Sequence, residues 1–285
     1  MGVTKDDRNE LIRRVEDMGS NIQSEENREN IEGVLEDIEN IMRYRGEIEL
    51  KSLDSTKKGI TTTTKDKNGR YRPKILYDKS ISRESNDRFR NIVLHEIIHG
   101  IQREELFKSI EAGEITFTPD KNDAITFLSE GQAVALAGSN GDFYNDASEV
   151  YQEVYGKVDQ GASYEEAIRD VDREKYMAIV DLEWSYGSYK YCLAVDKDKI
   201  EGMNKDDIYK KFVDHGRWSE AEEYDFREIE LGEYAHEMGE LFKRTHNLVS
   251  EAYERGFMDG ENTVVEGLEL GLLNSWLPGR QRFVA

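Results

Sequence analysis

The sequence predicts an α+β fold, mainly helical, with a small antiparallel sheet packed on one central helix. Apolar residues recur at three- and four-residue intervals over most of the chain, the mark of amphipathic helices. A Thr-rich run and an apolar run flank Asn68-Gly69, a strong hairpin signal. With only 3 Pro in 285 residues, no obvious hinge divides the chain.

Residues 5–19, with Leu11, Ile12, Val15 and Met18, and 24–44, with Ile31, Val34, Leu35, Ile38, Ile41 and Met42, read as two amphipathic helices. Ser24 followed by Glu25 and Glu26 starts the second. Glu47-Ile48-Glu49-Leu50 alternates as a short strand does. Gly59 to Thr64 and Tyr71 to Tyr77 form the hairpin, and Pro73 favours an edge position because it lacks an N–H. After a polar break at Ser80 to Ser85, a helix is expected from Ser85 or Asn86 to about Lys108. A loop around Gly113 to Pro119 leads to a second helix, Asn122 to Ala137.

From Asp142 onward the chain reads as mostly helical. Ser163-Tyr164-Glu165-Glu166 fits a capping box, and Asn204-Lys205-Asp206-Asp207 starts a short helix. Leu231 to Arg255 and Gly260 to Leu273 read as further helices. The aromatic stretch from Asp172 to Ala194 has the composition of core. The expected organisation is 1–141, with the N-terminal helices and the hairpin, and a helical 142–285, the two forming either separate parts or one domain.

Asp and Glu number 60 against 39 Lys and Arg, a formal net charge of -21. That surface repels a phosphate backbone or an anionic bilayer, so nucleic acid is not an expected partner. No run is apolar enough for an integral membrane segment, and no signal-peptide core is present. The expectation is a cytoplasmic protein, or a secreted one if a leader has been removed. The single cysteine, Cys192, excludes an intramolecular disulfide framework and a Cys-rich structural zinc site.

The chemistry is concentrated in Leu94-His95-Glu96-Ile97-Ile98-His99-Gly100-Ile101-Gln102, a complete H-E-x-x-H in a chain with 5 His. At about 100° per residue, His99 lies about 40° from His95, with Arg88 and Gln102 about 20° to either side. Val93, Leu94, Ile97, Ile98 and Ile101 occupy the opposite arc. One face is thus apolar, and the other presents two imidazoles one turn apart, a spacing that lets both reach a single zinc ion. Glu96 is rotated by about 100° from His95, which suits a general base acting on water. The plain alternative is an amphipathic helix with two solvated histidines. Gln102 is either support for a histidine ligand or an ordinary polar residue. Glu130 sits in the small, apolar stretch Leu128 to Ala135, where an unpaired carboxylate would be costly and metal coordination would relieve the cost.

With these residues in view, the chain resembles the gluzincin-type zinc metallopeptidases. More narrowly, His95 to Gln102 followed by Glu130-Gly131-Gln132-Ala133 looks like the neutral zinc metallopeptidases of prokaryotes, whose pattern is H-E-x-x-H-A-L-Q and then E-G-x-A. Gly100 and Ile101 replace the usual Ala and Leu. The resemblance covers about residues 75–137 and implies a zincin-like fold. It also implies Zn2+ bound by His95, His99 and Glu130, with Glu96 as the base and a peptide or protein as substrate. A metzincin would need Gly at position 102 and His at 105, where this chain has Gln102 and Glu105. A deformylase-like site would need a cysteine upstream of the helix, and Cys192 lies downstream.

The expected activity is therefore zinc-dependent peptide-bond hydrolysis. Two other classes are consistent with the motif: a zinc-dependent hydrolase of a non-protein substrate, and a non-catalytic protein stabilised by zinc for interaction. Glu104, Glu105, Glu111 and Glu114 are the nearest competitors as third ligand. His215, Tyr234 and His236 are candidates for stabilising an oxyanion. Ile75-Leu76-Tyr77 is the expected sheet edge for holding an extended peptide. Natural substrate, cleavage preference and oligomeric state are not encoded in any motif of this chain.

Overall fold

The computed structural model describes residues 47–53, 57–78, 80, 86–138, 143–185, 187–214 and 221–259. The helices expected at 5–19, 24–44 and Gly260 to Leu273, and the candidate His215, lie outside the described residues. The fold is α+β and mainly helical, with six α-helices and two three-stranded sheets among the described residues. In chain order the strands are β1 (Glu47–Lys51), β2 (Gly59–Lys65), β3 (Tyr71–Asp78), β4 (Lys175–Trp184), β5 (Gly187–Asp196) and β6 (Glu223–Ile229). The helices are α1 (Asn86–Glu111), α2 (Pro119–Ala137), α3 (Asn145–Asp159), α4 (Tyr164–Glu174), α5 (Lys205–Phe212) and α6 (Ala235–Asp259). No helix among the described residues is long and apolar enough to cross a membrane.

Two compact units are present. Among the described residues, one holds 47–104, 136–138 and 245–259, and the other 105–135 and 143–244.

In the first unit the strand order is β1-β3-β2. β2 and β3 form the antiparallel hairpin expected around Asn68-Gly69, with Thr61 opposite Ile75. Its turn is closed by one carboxylate, since Asp66 Oδ1 accepts from the N–H groups of Asn68 at 2.8 Å and Arg70 at 2.9 Å. β1 joins β3 in parallel from Glu47 opposite Lys74, so this sheet is mixed. Pro73 pairs with Thr63 just before that register begins. It thus occupies a locally uncovered position of a central strand, where its missing N–H costs no ladder bond.

Cross-strand partners share a face, so Gly59, Thr61 and Thr63 of β2 lie on the side of Tyr77, Ile75 and Pro73 of β3. This is the side turned to α1: Thr61 bonds to Glu96, and Arg103 Nη1 donates to Thr63 Oγ1 at 3.3 Å. The buried face of α1 is the one the helical angles give, with Leu94, Ile97, Ile98 and Ile101 all under 9% exposed. Each such side chain contributes about 1.5–3 kcal/mol when fully buried.

The stretch from 142 onward, expected to be mostly helical, carries a sheet as well as helices among its described residues. Its aromatic stretch forms β4 and β5, which pair antiparallel with Ile179 opposite Cys192, and β6 completes the sheet in the order β5-β4-β6. β4 is central and buried on both faces from Tyr176 to Val180. A strand of this kind reads as a continuous apolar run, with no period-2 alternation to betray it. One core cluster joins Phe127, Leu128, Ile168, Met177, Ile179 and Phe242, drawn from α2, α4, β4 and α6. The capping box at Ser163 and Glu166 is present in full, and Asn204 caps α5 by accepting from Asp207 N–H.

Candidate metal centre

The site is built on α1. His95 and His99 stand one turn apart with ring centroids 4.6 Å from each other and planes at 89°. Their Nε2 atoms are 3.0 Å apart. Two ligands bonded tetrahedrally to one zinc at about 2.0–2.1 Å sit about 3.3 Å from each other, so the rings are already arranged to share a cation. His99 Nδ1 is 2.7 Å from Gln102 Oε1. An amide oxygen only accepts, so in this contact Nδ1 is the donor. Gln102 is 3% exposed, which shields that bond from water. Gln102 thus supports a histidine, as its place on the wheel allowed.

Glu130 is carried by α2, and the residues after it explain how that helix is held. A Cβ at Gly131 would fall 2.2 Å from the carbonyl oxygen of Ala147, so only glycine permits this approach of α2 to α3. Gln132 is fully buried and donates from Nε2 to Tyr151 Oη at 2.8 Å and to the carbonyl of Phe242 at 3.2 Å. Ala133 is also fully buried. The Glu-Gly-Gln-Ala segment is therefore a carboxylate followed by three residues that lock its helix against α3 and α6. Cys192 is near enough to feel this carboxylate: burial pushes its thiol pKa well up, and the Glu130 charge adds to the rise.

One ligand atom from each of His95, His99 and Glu130 lies within 4.8 Å of the others, and all three residues are half-buried. Among the described residues this is the group of His, Cys, Asp and Glu side chains that could hold a metal ion. The competitors for third ligand are engaged elsewhere where their contacts are seen. Glu105 pairs with Lys108 at 2.5 Å and faces Arg244 at 3.7 Å, and Glu114 faces Arg244 at 3.4 Å.

Glu96 is 8% exposed and points to the sheet. Thr61 Oγ1 donates to its Oε2 at 2.7 Å and lies 3.0 Å from its backbone carbonyl oxygen. Neither Thr61 nor Gly59 stands out in the sequence, where both belong to an unremarked hairpin strand. The strand nearest Glu96 also corrects the expected peptide edge. Ile75, Leu76 and Tyr77 are flanked by β1 on one side and β2 on the other, so they form no edge, and among the described residues β2 pairs with β3 alone.

The oxyanion candidates among the described residues have partners of their own. His236 Nδ1 meets Glu165 Oε2 at 2.9 Å with its side chain 75% exposed. The Tyr234 ring lies 5.2 Å from Lys121 Nζ, and its hydroxyl pKa is raised, by desolvation first and then by Glu233.

Comparison with protein-family models, with curated proteins and with solved structures returned no match. The chemistry of the site is accordingly read from its own residues.

A measurable consequence attaches to Gln102. Gln102→Ala removes the partner of His99 Nδ1, so affinity for added zinc is expected to fall about 10–100-fold, the usual cost of losing a bond that orients a ligand. Competition against a chelator of known affinity measures this, and an unchanged dissociation constant would reduce Gln102 to a packing residue.

Proposed function

We propose that this chain is a zinc-dependent metallopeptidase, with His95, His99 and Glu130 holding the ion and Glu96 serving as general base. The reading is carried by the meeting of the two histidines and Glu130 within 4.8 Å. The donor set fits the ion. Two imidazole nitrogens and one carboxylate oxygen are what zinc takes in hydrolytic sites, with the fourth position left open. The contact of His99 Nδ1 with Gln102 adds to the fit. When bound, such an ion supplies Lewis acidity, making a water more acidic and polarising a carbonyl.

The protein's own part is proton transfer and orientation. Glu96 accepts the proton of the attacking water and returns it to the nitrogen of the leaving amine. A structural metal site has no use for that carboxylate, which separates this reading from a merely stabilising ion. A peptide substrate is favoured by β2, which contacts Glu96 and, among the described residues, is an edge of its sheet, where an extended chain could add through main-chain hydrogen bonds.

Digestion of casein or a peptide library by zinc-loaded protein tests the proposal. New amino termini that appear with zinc and vanish with a chelator are the expected result. Full metal loading with no cleavage of any peptide would turn the site towards another substrate.

A further inference from the structure

We propose that Thr61 is a positioning residue for Glu96, and that Gly59, two residues earlier on the same face of β2, provides the space the carboxylate occupies. The inference rests on the peptidase reading and deepens it. A general base must hold one orientation while the proton moves, and a glutamate has three rotatable bonds to fix. β2 fixes them from one side. The Thr61 hydroxyl reaches Oε2 at 2.7 Å, within the range of a bond to an ionised acceptor. It also lies 3.0 Å from the backbone carbonyl oxygen of the same residue, the alternative acceptor for its one hydrogen. Thr61 is 6% exposed, which keeps water from competing, and its β-branched side chain has little freedom about χ1.

Gly59 supplies the complementary feature. A Cβ there would lie 2.5 Å from Glu96 Cγ and 2.9 Å from both Cδ and Oε1. Any larger residue would push the carboxylate out of its seat. One oxygen is committed to Thr61, and Oε1 is the one left to take the proton.

Steady-state kinetics on a cleaved peptide test this with zinc-loaded wild type, Thr61→Val, Thr61→Ser, Glu96→Gln and the double variant Thr61→Val/Glu96→Gln. Thr61→Val is expected to lower kcat by about 10–100-fold, the scale of a misplacement near 1 Å. KM and zinc affinity should stay within about twofold of wild type by the same argument, and Thr61→Ser should recover most of the loss. In the Glu96→Gln background the Thr61 change should have no further effect, because the group it positions has lost its basicity. Gly59→Ala is expected to lower kcat in the same way, and Thr61→Ala takes the place of the valine variant if that one does not fold.

An unchanged kcat in Thr61→Val overturns the role, and so does an equal loss when Glu96 is already Gln. A loss confined to KM or to zinc affinity also overturns it. If the wild type cleaves no peptide, the peptidase reading fails and takes this one with it. If the wild type is active and Thr61→Val is indifferent, the role of Thr61 alone fails.

Discussion

Glu96→Gln is expected to remove about 10²–10⁴-fold of the hydrolytic rate, the range contributed by a positioned general base, while zinc remains bound. The substitution changes one property. Glutamine matches glutamate in size, and its amide oxygen can still accept from Thr61 Oγ1, which now lies 2.7 Å from Oε2. It cannot take a proton from water. Because Glu96 stands outside the group that meets to hold an ion, the metal content should be that of the wild type. Turnover and metal content measured on the same preparation separate the two effects. Unchanged turnover would remove Glu96 from the chemistry, and lost metal would make it a ligand instead.

Glu130→Ala is expected to have the largest effect on metal retention. Both histidines come from α1, so in the proposed site Glu130 would turn a two-point contact into a three-point one. Its loss should weaken zinc binding by more than the about 10–100-fold attached to an outer hydrogen bond such as that of Gln102. The helix itself should survive. Gly131 still packs on Ala147, and Gln132 still ties Tyr151 to Phe242. Chelator competition after dialysis gives the answer. Stoichiometric zinc in this variant would move the third ligand elsewhere, with Glu104 and Glu111 next to be replaced.

What the sequence revealed follows from the range over which each signal acts. The face of α1, the hairpin and the two caps were legible because helical angle, turn chemistry and side-chain caps act within a few residues. Gln102 was visible for the same reason, three positions from the histidine it contacts. Glu130 is indicated by the cost of an unpaired carboxylate in a small, apolar stretch, with no periodicity to mark it. Misread or missed features depend on pairing at long range. β4 shows no period because the central strand is buried on both faces, so its run reads as core without announcing a strand. Ile75, Leu76 and Tyr77 read as an edge, since nothing local announces that β1 pairs with β3 in parallel. Thr61 and Gly59 acquire meaning only when β2 meets Glu96, 35 residues from Thr61 in sequence.

The most direct measurement of the central claim is the metal content of purified wild type beside His95→Ala, after exposure to zinc and exhaustive dialysis. His95 Nε2 faces His99 Nε2 at 3.0 Å, so removing one imidazole breaks the pair that presents the ion with its two nitrogens. The expected result is about one zinc per chain in the wild type and little or none in the variant. A wild type that takes up no zinc, or a His95→Ala that keeps it in full, would contradict the metal centre and the hydrolytic mechanism built on it.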